Sequence, residues 1–111
     1  MEKLDIYRNH IETLLKEYSN YKPRYGDVEV QLIFDRERDH YQLMNVGWDG
    51  NERIRGAVLH LDIKNGKIWI QHDGTEGGIA GDLLELGVPS EDIVLAFQAP
   101  ARRKYTDFAV S

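Results

Sequence analysis

The dipeptide Asn65-Gly66, set between Lys64 and Lys67, constrains this chain more than any other feature. Asn-Gly is the favoured centre of a two-residue type I′ turn, whose positive φ angles match the twist of an antiparallel hairpin. The turn fixes the register on either side. With Lys64 opposite Lys67, Ile63 faces Ile68, Leu61 faces Ile70 and Leu59 faces His72, so one face of the ribbon is almost wholly apolar. The other face receives Val58, His60, Asp62, Trp69 and Gln71, with His60 across from Gln71 and Asp62 across from Trp69. A ribbon with one apolar face must bury it against further layers of structure.

Those layers are legible on both sides of the hairpin. Leu4, Tyr7, Ile11, Leu14, Leu15 and Tyr18 recur at three- and four-residue spacing, which predicts a helix from about Lys3 to Ser19. Pro23 and Gly26 break it. Val28, Val30, Leu32 and Phe34 then alternate with polar residues as one face of a strand, with Ile33 alone breaking the pattern. The charged run Asp35 to Asp39 reads as a hairpin tip, and His40 to Val46 as the returning strand. After the glycine-rich stretch Asp73 to Gly78, the residues Ile79, Leu83 and Leu86 share one side of a short helix that Gly87 closes. Pro89 to Asp92 makes a turn, Ile93 to Phe97 a short buried strand, and Gln98 to Ser111 a tail with a basic cluster. The expected fold is α+β: an N-terminal helix, an antiparallel sheet of four or more strands from two hairpins, a short second helix and a C-terminal strand, in a single domain over 1–111.

Charge and composition narrow the function classes. Fourteen basic and nineteen acidic side chains leave a formal charge of −5, the wrong sign for a protein that gains its affinity by neutralising phosphates. No cysteine is present, which excludes disulfides, thiolate nucleophiles and sulfur-ligated zinc together. The opening MEKLDIYRNH lacks the apolar core of a signal peptide, and no stretch reaches membrane-spanning length, so a cytoplasmic protein is expected.

Each candidate site has a plainer structural explanation. Tyr105 beside Arg102, Arg103 and Lys104 is the one tyrosine among clustered cations, and reads as a solvated or docking tail rather than a nucleophile. His10, His40, His60 and His72, with Asp62, Asp73 or Glu76, match no ligand spacing, and the derived register turns His60 and His72 to opposite faces; no metal or cofactor is expected, and His72 reads as a hydrogen-bonded residue at the core edge. Gly74, Gly77, Gly78 and Gly81 precede a helix without the Lys-Ser/Thr pair of a phosphate loop, and read as a tight turn. Trp69, a large aromatic on a polar sheet face, needs a cover, either from this chain's own C-terminal segment or first helix or from a partner or second subunit. Trp48, in Gly47-Trp48-Asp49-Gly50, reads as a loop anchor or a contact residue. The candidate interface is therefore Trp69, His60, Asp62, Gln71 and Trp48.

Three stretches carry a resemblance: Tyr21-Lys22-Pro23 with Tyr25 to Glu29, then Tyr41 to Gly50, then Asp73 to Glu76. The ending agrees as well, in Gly87-Val88-Pro89, Glu91 to Leu95, Arg103 to Thr106 and Phe108 to Val110. Over essentially its whole length the chain resembles the XisI family of excision controlling factors linked to the fdxN element. The resemblance implies a cyanobacterial regulator of programmed DNA excision during heterocyst differentiation, acting with an XisH-type companion while a separate recombinase cuts the strands. It supplies no catalytic residues. The expected role is non-enzymatic control through protein contact and only indirect contact with DNA, with a homo-oligomer left open. The alternatives are a direct DNA-binding accessory factor using Arg102, Arg103 and Lys104, and a hydrolase centred on His72, Asp73 and Glu76.

Overall fold

The computed structural model describes residues 2–111. In chain order its elements are α1 (Lys3–Tyr18), β1 (Asp27–Asp35), β2 (His40–Asp49), β3 (Glu52–Lys64), β4 (Lys67–Asp73), α2 (Ile79–Glu85) and β5 (Ile93–Leu95), with short 3-10 turns at Ser90–Asp92 and Pro100–Tyr105. The strands form one sheet in the order β1-β2-β3-β4-β5. The first four make an antiparallel meander, and β5 runs parallel to β4 because α2 carries the chain back across the sheet between them.

The Asn65-Gly66 turn forms as its residues dictate, with φ of 54° and 76°. Lys64 pairs with Lys67, Ile63 with Ile68, Asp62 with Trp69 and Leu61 with Ile70. Beyond Leu61 the register slips by a β-bulge, so that His60 pairs with His72 and Leu59 with Asp73, leaving Gln71 as the extra residue. The expected Leu59–His72 and His60–Gln71 pairs are thus corrected, and with them the register that set His60 and His72 on opposite faces. A bulge bends the strand that carries it, here at the end of β4 where the chain leaves the sheet.

A second bulge separates the pairs Leu43–Leu59 and Met44–Ala57 and leaves Val58 as its extra residue. Val58, expected on the polar face, packs instead against the core. The meander also holds a third hairpin that the sequence reading did not include: β2 runs on to Asp49, turns through Gly50 at φ 59°, and returns as β3 from Glu52. Trp48 therefore stands on a strand, paired with Asp27 on one side and Arg53 on the other, and not in a turn.

One face of the sheet is roofed by both helices. Tyr7, Ile11, Leu14 and Leu15 of α1 and Ile79 and Leu83 of α2 are buried with Tyr41, Leu43, Leu59, Leu61, Ile68 and Ile70 in a single core. The predicted stripe of α1 is the one the helix buries, ending at Tyr18 rather than Ser19. Leu86, expected on the buried side of α2, is exposed, and Val88 takes its place. The cause is the helix ending: Gly87 at φ 94° donates to the Leu84 carbonyl and Val88 to that of Leu83, a Schellman closure that folds Val88 back onto Leu83.

The C-terminal residues are a built part of the fold. Strand β5 stops at Leu95 rather than Phe97, because the Ala96 and Gln98 carbonyls accept hydrogen bonds from the Arg103 guanidinium at 3.2 and 3.1 Å. Ala109 then bridges to Val94 and donates to the Ile93 carbonyl, covering the outer side of β5.

Candidate functional site

The sheet face opposite the helices carries the polar set predicted from the hairpin. Asp62 lies at its centre, directly across from His40 on β2 and Trp69 on β4. Its Oδ1 lies 2.8 Å from His40 Nδ1 and 3.0 Å from His60 Nε2, while Oδ2 accepts from Gln71 Nε2 at 3.1 Å. The sequence reading found His60, Asp62 and Gln71 together but not His40, which a hairpin away had no assigned register. Among the described residues this is the one group whose histidine and carboxylate atoms converge on a common point. His10, His72, Asp73 and Glu76 do not join it.

Trp69 has its cover within the chain. The residue is 9% exposed, has the charged groups of Lys64 and Arg103 4.5 and 5.6 Å from its ring, and donates from Nε1 to the Lys64 carbonyl. Of the covers open to it, the chain's own C-terminal segment is the one in place. The same contacts fix Arg103, so the basic cluster divides: Arg103 is tied to carbonyls and to Trp69, whereas Arg102, Lys104 and Tyr105 face solvent. Trp48 is the indole that stays open, 50% exposed, with the Arg53 guanidinium 5.2 Å from its ring. Nearby strand β1 is the free edge of the sheet and bears the exposed Leu32 and Ile33.

The glycine-rich stretch is a closed turn. Asp73 Oδ1 accepts from the backbone and hydroxyl of Thr75, and its Oδ2 accepts from the Ile79 N–H at the start of α2. A carboxylate thus fills the position an anion would take at that helix end. His72, expected at the core edge, is exposed beside it. A cavity of about 430 Å³ opens between the end of α1, the sheet and this turn, lined by Tyr18, Tyr21, Val30, Leu43, Asn45, Val58 and Gly74 to Glu76. Val58, turned inward by the bulge, joins Tyr18, Val30 and Leu43 in its largely apolar wall. It takes in Glu76 but neither His72 nor Asp73, so the three residues of the hydrolase alternative do not share a pocket.

Two buried tyrosines and the half-buried Tyr18 serve as hydrogen-bond donors to carboxylates. Tyr7 donates to Asp92 on the turn before β5, Tyr18 to Asp82 on α2, and Tyr41 to Asp39 at the β1–β2 tip at 3.1 Å. Burial first, and then the hydrogen bond to a carboxylate, raises all three hydroxyls, Tyr18 to about 12. They are held protonated near neutrality. Arg8 grips Asp39 with two nitrogens at 2.7 and 3.1 Å and holds that carboxyl below its ordinary range.

The chain matches the family model of the XisI protein over residues 1–110. Two solved structures from Anabaena variabilis ATCC 29413 are similar to it along their whole length. A XisI-like protein shares 49% identity with a TM-score of 0.91, covering 99% of this chain and 100% of its own. The fdxN element excision controlling factor XisI shares 39% identity with a TM-score of 0.88 and the same coverage. Among curated proteins there is no significant match.

Proposed function

Because this chain belongs to the XisI family, we propose that it is a non-enzymatic control subunit, working in the cytoplasm through contact with an XisH-type companion in programmed DNA-element excision or a related nuclease system. The observation that carries the contact mode is the contrast between the two tryptophans. Trp69 is sealed by the chain's own C-terminal segment, while Trp48 stands half exposed beside the free edge strand. Exposed aromatics next to a charged rim are the residues that anchor protein interfaces, and an open strand edge offers unpaired backbone groups to a partner.

Charge supports the same reading. The body is acidic at −5, and the most fixed cation of the basic cluster, Arg103, is occupied inside the fold. A DNA-binding role built on the C-terminal basic cluster is left with Arg102 and Lys104, too few phosphate contacts for tight binding at physiological salt.

Co-purification with the XisH-type companion tests the proposal. The wild-type chain is expected to elute with the companion, Trp48→Ala to lose it at least tenfold, and Arg102→Ala with Lys104→Ala to keep it. No complex with wild type, together with salt-sensitive binding of element-end DNA by the isolated chain, would replace this reading with the DNA-binding one.

A further inference from the structure

Two imidazoles and one carboxylate converge on the outer sheet face, and we propose that His40, His60 and Asp62 form a binding site for a late first-row divalent cation such as Zn²⁺. The register builds it. Asp62 and His40 are direct cross-strand partners, and His60, two residues before Asp62 on β3, points to the same side. One ring nitrogen of His40, one of His60 and an Asp62 oxygen all lie within 4.8 Å of one another.

The donor set selects the metal class. Imidazole nitrogen suits zinc, copper and nickel, whereas magnesium and calcium prefer all-oxygen shells. Two histidines with one carboxylate supply three ligands and leave a position for water. Zinc bonds of about 2.0–2.2 Å in a tetrahedron hold ligand atoms about 3.3 Å apart. The present separations from Asp62 Oδ1, 2.8 and 3.0 Å, need to open by only a few tenths of an ångström. The His40 side chain is 54% exposed and free to make that adjustment, whereas the Asp62 side chain is only 15% exposed. Gln71 Nε2 holds Oδ2, which leaves Oδ1 aimed at the two rings, the outer support that metal-binding carboxylates characteristically have.

Binding is balanced in protons. An imidazole that directs an N–H at Asp62 moves that proton to its outward nitrogen through solvent, or releases it to solvent where both nitrogens carry one, and the freed lone pair binds the cation. The step needs no oxidant or reductant.

Titration calorimetry of the purified chain with Zn²⁺ alone tests the site, followed by the same titration in excess Mg²⁺. The site predicts one ion per chain, insensitivity to Mg²⁺, and affinity reduced at least tenfold in each of His40→Ala, His60→Ala and Asp62→Asn. His72→Ala, an exposed histidine outside the cluster, keeps wild-type affinity. Absence of binding by wild type overturns the proposal, as does equal loss in His72→Ala or unchanged affinity in His40→Ala. His40→Ala removes an exposed side chain, and an unchanged apo melting temperature separates loss of the ion from loss of the fold.

Discussion

Gly47 has no room for a side chain, since a Cβ there would come within 2.0 Å of the Asp27 carbonyl oxygen and 2.8 Å of the Val28 Cα on the neighbouring strand. Both obstacles are backbone, so the strands themselves have to part. Gly47→Ala is expected to destabilise the fold by about 1–3 kcal/mol, the usual cost of overpacking, measured by chemical denaturation. Unchanged stability would mean that β1 and β2 are farther apart than described. The tryptophans give an opposed pair. Trp69→Ala empties a buried site and should cost about 3–5 kcal/mol, while Trp48→Ala on the surface should stay within about 0.5 kcal/mol. Hydrogen exchange in Trp69→Ala should also quicken over residues 100–110, which lean on that ring through Arg103.

Helix α1 is fastened to the sheet by buried or half-buried carboxylates, which ties its docking to pH. Asp39 lies below its ordinary range through the Arg8 hydrogen bonds. At Asp92 burial acts to raise the carboxyl, but hydrogen bonds from Lys3 and Tyr7 outweigh it and the net shift is downward. Groups with a lowered folded pKa stabilise fully above the unfolded value, about 3.9, and lose that contribution as pH falls through the folded one. Melting temperature should therefore drop between about pH 5 and pH 2, less steeply in Asp92→Asn. At the alkaline end the sign reverses. Tyr18, raised to about 12, contributes fully below pH 10 and loses its contribution as pH climbs through that higher value. These elements were legible where a local pattern fixed them: the α1 stripe, the Asn65-Gly66 turn and the Gly87 helix ending. The bulges were not, because a single inserted residue leaves no local signature. Asp49-Gly50 could have announced the third hairpin, yet counting back from it without the bulge sets His40 opposite Leu61. Only the slip at Val58 brings His40 to Asp62. The metal-ligand cluster and the inward Val58 of the cavity share that one cause, which is why both escaped a reading built on period and spacing.

Across the whole molecule the two sheet edges and the two faces are treated differently. Helices roof one face, the C-terminal segment closes the β5 edge, and the β1 edge with Trp48, Tyr25 and Ile33 is left to solvent. No described helix is long and apolar enough to cross a membrane. The proposed contact with protein rather than phosphate rests on this open edge together with the acidic balance of the chain and the anchored Arg103. Hydrogen exchange of the chain alone and in the presence of the proposed XisH-type companion measures this most directly. Slower exchange is expected over residues 25–33 and 46–55, with 102–105 unchanged. Protection confined to 102–105, or no protection anywhere at saturating companion, would contradict control through contact at the open edge.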